Sequence, residues 1–287
     1  MNPYQLFPVS FDSLSRNILV GDKTLLPEVI LSVSPCRSGT TAMLRVFGAA
    51  QIEAHYQQLK NVLRWQMQGQ DRPWQLPTHQ PRLFLKETLG PYTLTEAHFN
   101  PLELLLKVGF PADRLHILIV GRQPLHTWAS WLAWWPGNTS LEIFIRAYQQ
   151  AELIRQQAQK VSLPVTTFVY DAFKANAPMQ VVEQLFKRLA IPFTPLTVTH
   201  WDRLPALGEA GSYVVFPEEP PAFDVPQLHD KVGEAAALHY FSRAQEVHQL
   251  SREDVAKIKA SNLCQIYNQW QAACQKELNI TCQEVCQ

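Results

Sequence analysis

The chain has 287 residues, 46% of them hydrophobic, enough apolar material for one large α/β domain with a full core. Its 25 basic and 25 acidic residues cancel. This excludes a globally polyanion-binding surface, so no nucleic-acid partner is expected, while a local basic site stays open. Met1 to Val20 lacks a basic start followed by an apolar stretch, and no apolar run nears the ~20 residues that span a bilayer. The expectation is a cytoplasmic chain with no membrane span.

The elements follow in chain order. Val29-Ile30-Leu31-Ser32-Val33 is an apolar run of the kind found in buried strands. Helical patterns cover Thr40–Ala50 and Gln57–Gln68. Arg82 to Lys86 is the second predicted strand, and Pro101–Val108 the next helix. Leu115 to Val120 is almost unbroken apolar sequence, a third strand. Helices are predicted over Pro124–Trp135, Leu141–Lys160 and Met179–Leu189, with a fourth strand over Val165 to Tyr170. Strands alternating with helices predict an α/β fold, a parallel sheet flanked by helices. Ligands of such sheets bind beyond the carboxyl ends of the strands.

The C-terminal third reads differently. Residues 191–228 are rich in proline, which predicts a lid or flap. Residues 229–287 predict a mostly helical tail, in which Ser251-Arg252-Glu253-Asp254 resembles a capping box opening a helix to about Cys274. The whole, 1–287, is expected as a single domain with its α/β core at 29–190. Five cysteines form no even framework, and Cys264, Cys274, Cys282 and Cys286 lack both C-x-x-C spacing and a histidine beyond His248. Free thiols and no metal site are the expectation.

The segment Ser34-Pro35-Cys36-Arg37-Ser38-Gly39-Thr40-Thr41 joins the first strand to the first helix. A tight loop ending in a helix N-terminus offers free N–H groups and the positive end of the helix dipole to an anion. Gly39 allows close backbone approach. The hydroxyls of Ser38, Thr40 and Thr41 can donate, and Arg37 adds a planar cationic fork. Against the ATP/GTP loop G-x-x-x-x-G-K-[ST], only Gly39 and Thr41 match, and the loop lysine is replaced by Thr40. Such a loop suits one phosphate and the group it carries better than a triphosphate with magnesium.

These residues resemble the 5′-phosphosulfate loop, P-R/K-S-G-T-T, of the sulfotransferase family, with Cys36 inserted between proline and arginine. Gly121-Arg122-Gln123-Pro124 after the third strand, with Ser130 eight positions beyond Arg122, resembles the family's 3′-phosphate motif. Val169-Tyr170-Asp171-Ala172-Phe173 resembles its Y-E-D-L element, which puts Tyr170 near the adenine. The resemblance covers roughly residues 29–190. It implies a P-loop nucleotide-binding type of fold, no metal, and transfer of a sulfuryl group from 3′-phosphoadenosine-5′-phosphosulfate (PAPS) to a hydroxyl or amine, leaving 3′-phosphoadenosine 5′-phosphate (PAP). Cofactor contacts then fall to Arg37, Ser38, Gly39, Thr40, Thr41, Arg122, Ser130 and Tyr170. The family's last nucleotide loop has no clear counterpart, and 207–212 is the candidate replacement.

In-line group transfer requires positioning and charge stabilisation. Arg37 and Lys86 are the cationic candidates. The segment around Lys86 resembles one that carries a lysine and a base histidine in cytosolic sulfotransferases, and that histidine is absent here. Glu87 and His55 are the candidate general bases, with Glu53 a further alternative. Trp128, Trp131, Trp134 and Trp135 read as core, the last two able to wall an acceptor pocket. The acceptor is expected to be a small molecule, an apolar alcohol or a carbohydrate. A catalytically silent nucleotide-binding relative and a P-loop kinase are the alternative readings.

Overall fold

The computed structural model describes residues 6–223, 230–242, 244–283 and 286. Its centre is a six-stranded sheet. In chain order the strands are β1 (Glu28–Pro35), β2 (Glu53–Tyr56), β3 (Arg82–Leu89), β4 (Leu115–Gly121), β5 (Val165–Val169) and β6 (Val214–Val215). They lie in the order β5-β4-β1-β3-β2-β6 with every neighbour parallel. Burial explains the near-continuous apolar runs: every residue of β1 after Glu28 is buried, as is all of β5.

Eight helices serve the argument: α1 (Thr40–Ala49), α2 (Gln58–Met67), α3 (Pro101–Lys107), α4 (Pro124–Trp134), α5 (Leu141–Lys160), α6 (Pro178–Arg188), α7 (Arg252–Ala260) and α8 (Leu263–Leu278). Each crossover returns the chain to a parallel strand. On α1, Phe47 stacks on Phe84 of β3 with centroids 3.9 Å apart. Further along the sheet, Trp270 of α8 stacks on Tyr148 of α5 and fills the space beside Gly121.

After β1 the chain runs to β2 on one side, and later to β4 on the other. The carboxyl ends of β1 and β4 therefore flank a point where the winding reverses, where open α/β sheets hold their ligands.

Several expectations change. β3 runs three residues past Lys86, and the chain turns only at Gly90-Pro91. Two short strands, β2 and β6, went unforeseen because neither carries a long apolar run. The helix expected from Ser251 to about Cys274 is two helices. Ser251 does cap α7 through the Asp254 N–H, but Ser261 is extended and breaks the run before α8 begins. Cys264 and Cys286 are joined in a disulfide, correcting the expectation of free thiols throughout; Cys36, Cys274 and Cys282 are free. The bridge is long in sequence but short in space, with Cα atoms 5.6 Å apart. Of the expected lid, residues 191–223 form two short 3-10 turns and edge strand β6, and 224–228 lie outside the described residues. No described helix is long and apolar enough to cross a membrane.

Candidate active site

The loop after β1 is shaped by two residues with positive φ, Arg37 at 68° and Gly39 at 86°. Gly39 caps α1 from the left-handed region. A side chain there would also meet Tyr170, because a Cβ would fall 2.3 Å from that ring. Glycine is thus required twice over. The Ser38 hydroxyl donates to the Pro35 carbonyl and tightens the turn. The expectation that this hydroxyl faces a phosphate is therefore corrected: it is buried and engaged. Its backbone remains available. Among the described residues, the N–H groups of Ser38, Gly39 and Thr40 meet no acceptor, and they open at the N-terminus of α1.

Cys36 is buried behind this turn. Its thiol lies 3.1 Å from Thr88 Oγ1 and 3.3 Å from the Gly90 carbonyl, and its own carbonyl accepts from Trp131 Nε1 at 2.7 Å. Cys36 is thus held by the end of β3, the following turn and α4.

Arg122 leaves the end of β4. It is 4% exposed, donates one N–H to the Phe241 carbonyl at 2.6 Å, and keeps a buried Nε with no partner. A buried guanidinium with an unmet donor is costly unless something anionic completes it. Its face lies 5.1 Å from the Tyr170 ring. Ser130 is fully buried on α4 and accepts from Arg37 Nε at 3.2 Å. The two predicted phosphate sites are thus contiguous, and Arg37 spans them. The Arg37 guanidinium also rests on the Trp134 ring at 5.0 Å.

Tyr170 is held with its ring on Gly39. Its hydroxyl donates to the His239 carbonyl and accepts from the Phe241 N–H, both at 3.1 Å. Asp171 beside it is fully buried and structural. It takes hydrogen bonds from the Gln123 N–H, Tyr240 and Tyr267, and pairs with Lys174. Burial opposes its charge, but Lys174 and those donors hold its pKa below the usual value. The Leu207–Ser212 segment, the candidate last nucleotide loop, does not reach this site. It leads into β6, while residues 239–241 cover Arg122 and Tyr170 instead.

Arg37, Gly39, Thr40, Thr41, Arg122 and Tyr170 border one cleft of about 970 Å³, mouth included, while Ser38 and Ser130 lie buried behind its wall. Its lining includes Arg37, Thr40, Thr41, Lys86, Arg122 and Tyr170 together with the rings of Tyr56, Tyr92, Trp134, Trp135 and Phe223. Lys86 is 3% exposed, with its ammonium 4.0 Å from the Tyr56 ring centre and no hydrogen bond to a described residue. Burial brings its pKa down to about 7, with Cys36 and Glu87 opposing the fall and Lys60 and Arg37 adding to it.

The base candidates do not share the cleft. Because β3 stays extended through Leu89, Glu87 points to the face opposite Lys86. There it accepts from the Leu59 and Lys60 N–H groups at 2.8 and 3.1 Å, capping α2, whose N-cap Gln57 offers no side-chain bond. Burial pushes its pKa up to about 7 although those bonds pull it down. His55 is bonded through Nε2 to Glu53 at 2.7 Å, and Glu53 also binds His79, so the three form a separate group off the cleft.

Sequence reasoning missed Arg64. It lies on α2, buried, gripping Glu96 at 2.8 Å and Glu219 at 3.0 Å while facing the Tyr92 and Phe223 rings. Those two carboxylates outweigh burial and raise its pKa. Lys60, one turn earlier, is fully buried on the Gly90 carbonyl at 2.8 Å. The available signal was Lys60 and Arg64 at i and i+4 on a helix whose acidic partners come from elsewhere in the chain. Comparison with known proteins adds no identity: no family model fits the chain, and no curated protein matches it.

Proposed function

We propose that this chain is a PAPS-dependent sulfotransferase with a P-loop-like nucleotide site. The observation that carries the reading is the joining of two anion sites in one cleft: the Ser38–Thr40 N–H cradle, and Arg122 with its unmet Nε, with Arg37 bridging them to Ser130. Donors at two adjacent points fit a nucleotide carrying phosphate on both its 5′ and 3′ positions. They fit a single triphosphate chain less well, since Thr40 stands where the phosphate-gripping lysine would be.

In this reading the loop N–H groups and the α1 dipole hold the 5′-phosphate. Arg122 and Ser130 hold the 3′-phosphate, and Tyr170 contacts the nucleoside. PAPS supplies an activated sulfuryl group. Arg37 stabilises negative charge that grows as the phosphate leaves, and Lys86, which lines the same cleft, is the second cation available to it. The product left in the site is PAP.

The test is a thermal-shift comparison of PAP, ATP with magnesium, and GTP, followed by PAP release from PAPS with an acceptor panel. PAP should raise the melting temperature most, by ligand linkage. A larger shift with ATP and magnesium would favour the kinase reading. A second reading, a PAP-binding relative without turnover, is favoured by one observation: neither Glu87 nor His55 faces the cleft. PAP binding with no release of PAP from PAPS would select it.

A further inference from the structure

Beyond α8 the chain turns back along the helix. Asn279 ends α8 in the left-handed region, at φ 51°, and reverses the direction. Gln275 Nε2 then donates to the Cys282 carbonyl at 3.1 Å, and Gln271 donates to the Gln283 carbonyl. The later glutamine holds the earlier tail residue, so helix and tail run antiparallel. Cys286 continues the same register: it is bridged to Cys264, nearer the start of α8, with Cα atoms 5.6 Å apart.

This register sets Cys274 against Cys282. Cys274 stands three positions beyond Gln271, on the helix face that holds the tail. The two thiols are in hydrogen-bond contact with each other, and both are buried. Four cysteines allow three complete pairings. Joining Cys264 to Cys274 would span about 15 Å of one helix, against a Cα limit of about 7 Å for a disulfide. Joining Cys264 to Cys282 would need a parallel tail. We propose that Cys274 and Cys282 are a dithiol site that closes into a second disulfide, nested inside Cys264–Cys286, on reaction with a small-molecule disulfide such as oxidised glutathione.

The reaction is two exchanges. The Cys282 thiolate attacks one sulfur of glutathione disulfide, forms a mixed disulfide and releases one glutathione thiolate. The Cys274 thiolate then attacks the Cys282 sulfur and releases the second. Two protein thiols are oxidised, one glutathione disulfide is reduced, and the two protons given up by the protein end on the two glutathione thiols. Cys282 reacts first because it lies on the tail and keeps 5% exposure, whereas Cys274 has none. Cys36 stays out of the exchange, held at the end of β3 by Thr88 and Gly90.

The second bridge would tie down the part of α8 that serves the sheet. Glu277 accepts from the Thr167 N–H of β5, and Tyr267 donates to Asp171, next to Tyr170. A bridge that fits this arrangement stabilises it, chiefly by restricting the unfolded chain.

The experiment counts thiols. Trypsin cuts after Lys259 and Lys276, giving peptides 260–276 and 277–287 with two cysteines each, so a cross-link in wild type does not say which pair formed it. Cys264→Ser/Cys286→Ser removes that ambiguity. Wild type and this variant are equilibrated with a mixture of oxidised and reduced glutathione, quenched with acid, denatured and labelled with N-ethylmaleimide. Each should take one label, on Cys36, and the variant's two peptides should be linked. Dithiothreitol should restore five labels in wild type and three in the variant, and should lower the variant's melting temperature by about 5 °C. Three or more labels on either protein after exchange, or glutathione left on Cys274 or Cys282, overturns the inference. So does a bridged variant that melts no higher than its reduced form, since the bond would then not fit the folded arrangement. If the variant does not fold, the wild-type count decides: one label supports the second bridge, and three or five overturn it.

Discussion

The two ends of the cleft are built in opposite ways. The anion end comes from short contiguous segments at the ends of adjacent strands: 36–41 after β1, and Arg122 after β4. Backbone N–H groups do much of its work, so its shape depends on local φ values such as that of Gly39. The aromatic end is assembled from side chains of separate segments, with Tyr92 packed between Trp135 and Phe223. The difference teaches where specificity can change. Under the proposed function, the strand-end loops would hold the nucleotide, and side chains from separate segments could be exchanged one at a time to suit another acceptor.

The comparison can be broken by mutation. The largest effect is expected from Arg37→Ala. It should lower turnover by about 10²–10³, with a smaller loss of PAP affinity, because its charge matters most as the leaving group forms. Steady-state kinetics and calorimetry on the same preparation check this. The reverse pattern would move Arg37 from the transferring group to simple nucleotide binding. Next, Arg122→Ala should weaken PAP binding by roughly 10- to 100-fold, the worth of a charge-assisted hydrogen bond, and change turnover at saturation little.

At the aromatic end the effects should be smaller and separate. Phe223→Leu keeps apolar volume but removes a ring edge-on to Tyr92. Acceptor KM should rise roughly 2- to 10-fold, the scale of one aromatic contact, with PAP affinity unchanged. A change in PAP affinity of the same size would show that the two ends are not independent.

The placement of the loop residues was legible in the sequence because their signals are local. Gly39, Arg37 and the Arg122–Ser130 spacing sit within single strand-turn-helix units, and the 3.6-residue and strand periodicities placed those units within one or two residues. The aromatic end was only half legible. Trp134 and Trp135 could be proposed from the end of α4, but Tyr92 and Phe223 carry no local signal. Glu87 failed for a physical reason. Its role depended on where β3 ends, and three further strand residues turned it to the opposite face. The break between α7 and α8 was hidden because Ser261-Asn262 interrupts an otherwise helical composition.

The smallest expected effect concerns that misplaced glutamate. Glu87→Gln should leave kcat near normal and cost about 1 kcal/mol of stability through a weakened cap on α2. Its pH dependence is diagnostic. A carboxyl raised to about 7 in the folded chain binds its proton more tightly there than at its unfolded value near 4.3. Its contribution is therefore full below pH 4.3 and is lost as pH rises through about 7. Melting curves across that window should fall for wild type and flatten for Glu87→Gln. A large loss of kcat would return Glu87 to the chemistry.

The central claim is that two contiguous anion sites belong to one nucleotide. It is tested most directly by calorimetry of PAP and AMP without magnesium. PAP should bind roughly 10- to 100-fold more tightly, because its 3′-phosphate would complete the unmet Nε of Arg122. Equal affinities for PAP and AMP would contradict the account.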